Sequence, residues 1–178
     1  MILFLIWNAR GIGTWVKTDF LAMEIKKHKV CIASILEHNQ NMSRVNEFSY
    51  RLRMHTGLHA EPNNYHIRIF WNKEMNVDLI KAGDQYTTVK VNTSVEVMYI
   101  SFVCGSCDAQ KWEVLREDLY SFDPEEFPWF VGGYFNIISK PEEKKCRGIF
   151  PHIDRKSFVR FMEGKGLIDM GYSGYCFN

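Results

Sequence analysis

The chain of 178 residues is 46% hydrophobic and 24% charged, which excludes a disordered, collagen-like or fibrous polymer and leaves a globular one with enough apolar mass for a core. Its 22 Lys and Arg offset 21 Asp and Glu to a net charge of +1, so the overall field neither recruits a polyanion nor repels one. The length predicts a single domain, and five cysteines, an odd number in a chain long enough to need no staples, point to a reduced, intracellular setting.

The aromatic share of 15% favours strands, whose pleated, half-buried surfaces accept bulky rings. ILFLIW (2–7) is an apolar run of strand length. It lacks the basic flank and small-residue cleavage site of a signal peptide, and no segment reaches the roughly 18 apolar residues of a membrane span. The loop NARGIGT leads into a helix over 15–28, with Val16, Phe20 and Met23 at i, i+4, i+7, Leu21 and Ile25 beside them, and Lys26, Lys27 and Lys29 complementing the dipole at its end. VCIASIL (30–36) is a second strand, and a strand, helix, strand unit of this length predicts parallel pairing.

The segment 37–64 is polar, with an amphipathic piece over 45–52. HIRIFW (66–71), short strands at 77–80 and 86–91, and EVMYISFV (96–103) read as a β-meander. A helix over 109–122 carries Trp112, Leu115, Leu119 and Phe122 at helical spacing, with Pro124 beyond its end. WFVG (129–132) is a further strand entering the turn GGYFN; Asp154 then caps a helix carrying Phe158, Phe161 and Met162, closed by Gly166. Parallel strands interleaved with helices make an α/β fold whose site lies beyond the strand carboxyl ends.

Asn8, Glu37 and Asn136 each follow such a strand. A carboxylate between two carboxamides supplies hard oxygen atoms, which suits Mg2+ completed by water and substrate phosphate. The plainer alternative is that the asparagines are turn residues and the glutamate is solvated.

WNARG, SILE, RIFWN, DQYTTVKV, PWFVGGYFNIISKPEEK and FMEGKGLIDMGYSGYCF, in this order, resemble the endonuclease/exonuclease/phosphatase superfamily across essentially the whole chain. Within it, the chain is most similar to the apurinic/apyrimidinic endonuclease-like domain of plant LINE-type retrotransposons, which precedes a reverse transcriptase. The resemblance implies a two-sheet α/β sandwich of the DNase I type, Mg2+-dependent cleavage of phosphodiester bonds, DNA as partner, and nuclear localisation if the chain functions. Carried over, Asn8 and Glu37 match the family's metal-site residues, and Asn136 matches the asparagine of its GDFN turn, which contacts the scissile phosphate.

Tyr134 stands where that turn has the aspartate that deprotonates the attacking water. A phenol titrates near pH ~10 and is a donor at neutral pH, and losing a positioned base typically costs ~10² to ~10⁴-fold. Cys104 replaces a phosphate-positioning tyrosine, and the chain ends before the family's closing strands and their histidine, so the domain is expected to be incomplete at its C-terminus. Asp to Tyr and Tyr to Cys are one-base codon changes, as is Trp to stop, which fits a decayed copy of the element, catalytically impaired. The six histidines, His28, His38, His55, His59, His66 and His152, read as ordinary surface residues.

Rival readings attach to other residues. Cys104, Gly105, Ser106 and Cys107 form a CxxC between strand and helix, where a redox pair would sit. A zinc site there needs two more ligands, and Cys146 with His152 lacks recognised spacing. Arg44, Arg51 and Arg53, with Lys144, Lys145, Arg147, Arg155, Lys156 and Arg160, fit a nucleic-acid-binding remnant that no longer cleaves. A chain with no selected function would expose apolar faces and self-associate.

Overall fold

The computed structural model describes residues 2–10, 15–37, 45–56, 66–137 and 155–171. It divides into two compact units, Met1–Ser106 with Asp123–Asn136, and Cys107–Phe122 with Ile137–Asn178.

In the first unit, β1 (Phe4–Asn8), β2 (Ile32–Leu36) and β3 (Ile67–Trp71) form one sheet in that order, β1 and β2 parallel and β3 antiparallel to β2. Helix α1 (Trp15–His28) makes the crossover, as the first strand, helix, strand unit predicts. A second sheet orders β4 (Asn76–Gly83), β5 (Tyr86–Asn92), β6 (Val97–Cys104) and β7 (Trp129–Tyr134); β4, β5 and β6 are antiparallel neighbours, while β7 runs parallel to β6. The two sheets pack face to face, giving the predicted α/β sandwich.

Period-two alternation sorts side chains between two cores. Ile32, Leu36, Ile67 and Ile69 meet Val89, Val91, Ile100 and Phe102 between the sheets. Ala33, Ile35 and Phe70 face the other way, against Leu21 and Ile25 of α1 and Phe48 and Leu52 of α2 (Val45–Leu52). Strand β2 is covered on both faces, which is why its sequence is apolar apart from the small, buried Ser34. Each fully buried Val, Leu, Ile or Phe among them contributes roughly 1.5–3 kcal/mol by leaving water.

Three expectations need correction. The strand at 66–71 is not part of the meander: it closes the first sheet against β2, and the meander is β4 to β6 alone. Alternation within a strand shows that it has two faces, not which sheet it joins. Strand β4 is longer than 77–80: half of its positions are exposed at a sheet edge, and a bulge between Leu79 and Lys81 breaks its pattern. On α1 the buried face is Thr18, Leu21 and Ile25, with Ala22 packed beside them, whereas Val16, Phe20 and Met23 are 77%, 55% and 56% exposed. Small Thr18 and Ala22 let the helix lie close to the sheet.

In the second unit, Asp108 caps α3 (Ala109–Ser121), its carboxylate accepting from the N–H groups of Gln110 and Lys111 at 2.9 Å. Trp112, Leu115 and Leu119 are buried, and Phe122 lies just beyond the helix as its extended C-cap. Helix α4 (Arg155–Gly164) brings Phe158 to 5.8 Å from the Trp112 ring and buries Phe161. Gly166 closes it as predicted, with Leu167 N–H bonding the Met162 carbonyl at 2.8 Å. The expected cap Asp154 lies outside the described residues, as do Arg44, Lys144, Lys145, Cys146, Arg147 and His152.

Candidate active site

Because β1 and β2 run in the same direction, their carboxyl ends lie side by side, with Asn8 opposite Leu36 in register. The next residue, Glu37, turns out of the strand at φ 50°, a left-handed conformation that costs a non-glycine residue about 1 kcal/mol or more. The turn is held by its N–H bonding the His66 carbonyl at 2.8 Å. It presents the carboxylate to Asn8, whose Nδ2 donates to Glu37 Oε1 at 3.0 Å. The remaining amide oxygen of Asn8 accepts the Arg10 N–H at 3.2 Å. Asn8 therefore orients the carboxylate while its own orientation is fixed by the loop.

The other parallel pair supplies the second half of the rim. Cys104 at the end of β6 lies opposite Tyr134 at the end of β7. This approach depends on Gly133: at φ 150°, any β-carbon there would collide with the Val103 carbonyl oxygen. Tyr134 packs, partly buried, against the core between the sheets. Two residues on, Asn136 adopts φ 55° and its Nδ2 donates to the Gly105 carbonyl at 2.6 Å.

Cys104 joins the halves. Burial, and secondly the negative charge of Glu37, push its thiol up to about 11, partly offset by a hydrogen bond with the Glu37 backbone. Asn8, Glu37, Cys104, Gly105 and Asn136 thus form one continuous series of contacts along the carboxyl rim.

The rim offers one carboxylate and carboxamide groups; among the described residues, no three His, Cys, Asp or Glu side chains gather as a metal cluster. A donor set of one carboxylate fits Mg2+, which keeps several waters and takes further oxygens from phosphate, better than it fits an all-protein cage. Cys104 is a poor redox candidate, since its thiol is held protonated where disulfide exchange needs a thiolate. Gln85, in the turn between β4 and β5, was not singled out by the sequence, yet its side chain bonds the Ser106 N–H at 2.7 Å. Nothing in the local pattern distinguishes it from an ordinary turn residue. His55 is exposed, as the sequence reading expects, and bridges to Trp71 beside β3.

The comparisons follow this geometry. The AP endonuclease LMAP from Leishmania major aligns with TM-score 0.63 at 12% identity, over 90% of this chain and 66% of its own. The endonuclease domain of TRAS1, a telomere-specific non-LTR retrotransposon, aligns with TM-score 0.54 at 13% identity, over 93% of this chain and 70% of its own. D. rerio TDP2, solved with a single-strand DNA product, aligns with TM-score 0.55 at 15% identity over 77% of this chain. The chain spans 61% of the length of that TDP2 chain. No family model matches the sequence. No curated protein matches it either. The likeness shows a fold shared with these solved structures, in line with the α/β sandwich that the sequence resemblance implies.

Proposed function

We propose that the chain is a retrotransposon-derived, Mg2+-dependent endonuclease-like domain that binds the DNA phosphodiester backbone and is impaired in cleaving it. The observation that carries the reading is the contact series joining Asn8 and Glu37 to Asn136 at one strand-end rim. Similarity to the TRAS1 endonuclease domain over 93% of the chain supports the element of origin.

In this reading Glu37 would hold the metal, with Asn8 orienting its carboxylate. The bound metal would supply neutralisation of charge developing on the phosphate. Asn136 has one amide hydrogen committed to Gly105, which leaves its second hydrogen and its oxygen for a phosphate. Tyr134 replaces the base. Its hydroxyl can donate toward an anionic oxygen but supplies no carboxylate to activate water, so binding is retained while hydrolysis slows.

Nicking of supercoiled or abasic DNA by the purified chain with Mg2+, beside a Glu37→Ala control, tests this directly. The expected result is salt-dependent DNA binding with negligible nicking above the control. Robust Mg2+-dependent nicking abolished by Glu37→Ala would overturn the impairment, and absence of any DNA binding would overturn the reading as a whole.

A further inference from the structure

We infer that Gln85 is a positioning residue for Asn136, acting through the single amide that links Gly105 to Ser106. The inference rests on the reading of Asn136 as the phosphate-contacting side chain.

Gln85 is buried in the turn between β4 and β5 and grips the end of β6 twice. Its backbone carbonyl accepts the Cys104 N–H at 2.8 Å, and its side-chain Oε1 accepts the Ser106 N–H at 2.7 Å. The carbonyl of Gly105 and the N–H of Ser106 belong to one planar peptide unit and point in opposite directions when it is trans. That carbonyl is the acceptor for Asn136 Nδ2 at 2.6 Å. A hydrogen-bond chain therefore runs from Gln85 through one amide to Asn136, and each bond polarises the next.

The neighbouring contacts leave this amide little freedom apart from rotation about its flanking bonds. The Gly105 N–H is tied to the Tyr134 carbonyl at 2.7 Å, and a β-carbon at Gly105 would come within 2.7 Å of the Phe135 carbonyl oxygen. The Gln85 side chain ties the other end of this amide, at the Ser106 N–H. Without it, the Gly105 carbonyl can tilt and Asn136, held in a left-handed conformation, loses its aligned acceptor.

The test uses the full chain with Gln85→Met, which keeps length but removes the acceptor, and Gln85→Glu, which keeps an acceptor oxygen. In Gln85→Met, Ser106 amide exchange should speed about tenfold and the Asn136 side-chain amide resonances should move toward those of a free carboxamide, with Gln85→Glu restoring both. Binding of a fluorescein-labelled single-stranded oligonucleotide in Mg2+ should weaken in Gln85→Met, with no further loss when Asn136→Ala is added. Unchanged Ser106 exchange and Asn136 resonances in a folded Gln85→Met chain would overturn the inference, as would additive effects of the two substitutions on binding. If Gln85→Met does not fold, Ser106 exchange in the unaltered chain decides, protection supporting the inference and free exchange overturning it. Absence of oligonucleotide binding by the unaltered chain would sink the functional reading, while the resonance and exchange data would still decide the role of Gln85.

Discussion

The two halves of the rim differ in the chemistry they present. On the first sheet, Asn8 and Glu37 hold each other by a hydrogen bond at 3.0 Å and match the residues that the family resemblance implies. On the second, Asn136 bonds the Gly105 carbonyl, while Tyr134 and Cys104 bring one ring packed on the core and one thiol held protonated by burial. The groups that would hold metal thus lie at the ends of β1 and β2, whereas the phosphate-contacting Asn136 and the position that would move a proton both lie at the end of β7. In the proposed reading, binding and hydrolysis can therefore be lost separately.

The largest test of that contrast is Tyr134→Asp. In the proposed reading, placing a carboxylate at the end of β7 is expected to raise nicking by about 10² to 10⁴-fold. It also removes a ring that packs between the sheets, so melting should be followed by circular dichroism. Tyr134→Asn shares the packing loss without the base, and equal nicking by the two variants would break the contrast.

A smaller effect concerns Cys104. With its thiol pushed up to about 11 from an ordinary 9.0, it should carry about 100-fold less thiolate at pH 8 than a free cysteine and alkylate correspondingly slowly in the folded chain. Because the unfolded chain releases that proton first, the contribution to stability is full below pH 9.0 and declines as pH rises to about 11. Cys104→Ser should flatten this part of the melting profile. Rapid alkylation of Cys104 at pH 8 would separate it from Glu37 and divide the rim.

The smallest expected effect is on the intact half. Asn8→Ala removes one hydrogen bond to Glu37, worth about 0.5 to 1.5 kcal/mol, and should weaken Mg2+ binding by roughly two- to tenfold, as read by titration calorimetry. A loss as complete as that of Glu37→Ala would assign Asn8 a direct part in holding the metal.

Much of this geometry was legible because it follows from strand direction. Continuous apolar runs at 2–7 and 30–36, with a helix between them, require a parallel pair, and a parallel pair places residues 8 and 37 together. What escaped depended on contacts distant in the chain. Nothing local assigns 66–71 to one sheet rather than the other, and α1 carries two apolar stripes of which packing selects one. Gln85 reads as a turn residue until the amide it holds, 21 positions later, is seen to hold Asn136.

The parallel pair in each sheet has a further consequence, for assembly. The bond from Asn8 spans 29 positions and can form once β1, α1 and β2 have docked. The bond from Asn136 reaches back 31 positions and awaits β7, which threads in after an intervening helix. A chain in which β7 has not yet docked would own the carboxylate and its amide clasp yet have nowhere to seat a phosphate, so a complete rim reports that both sheets are in place.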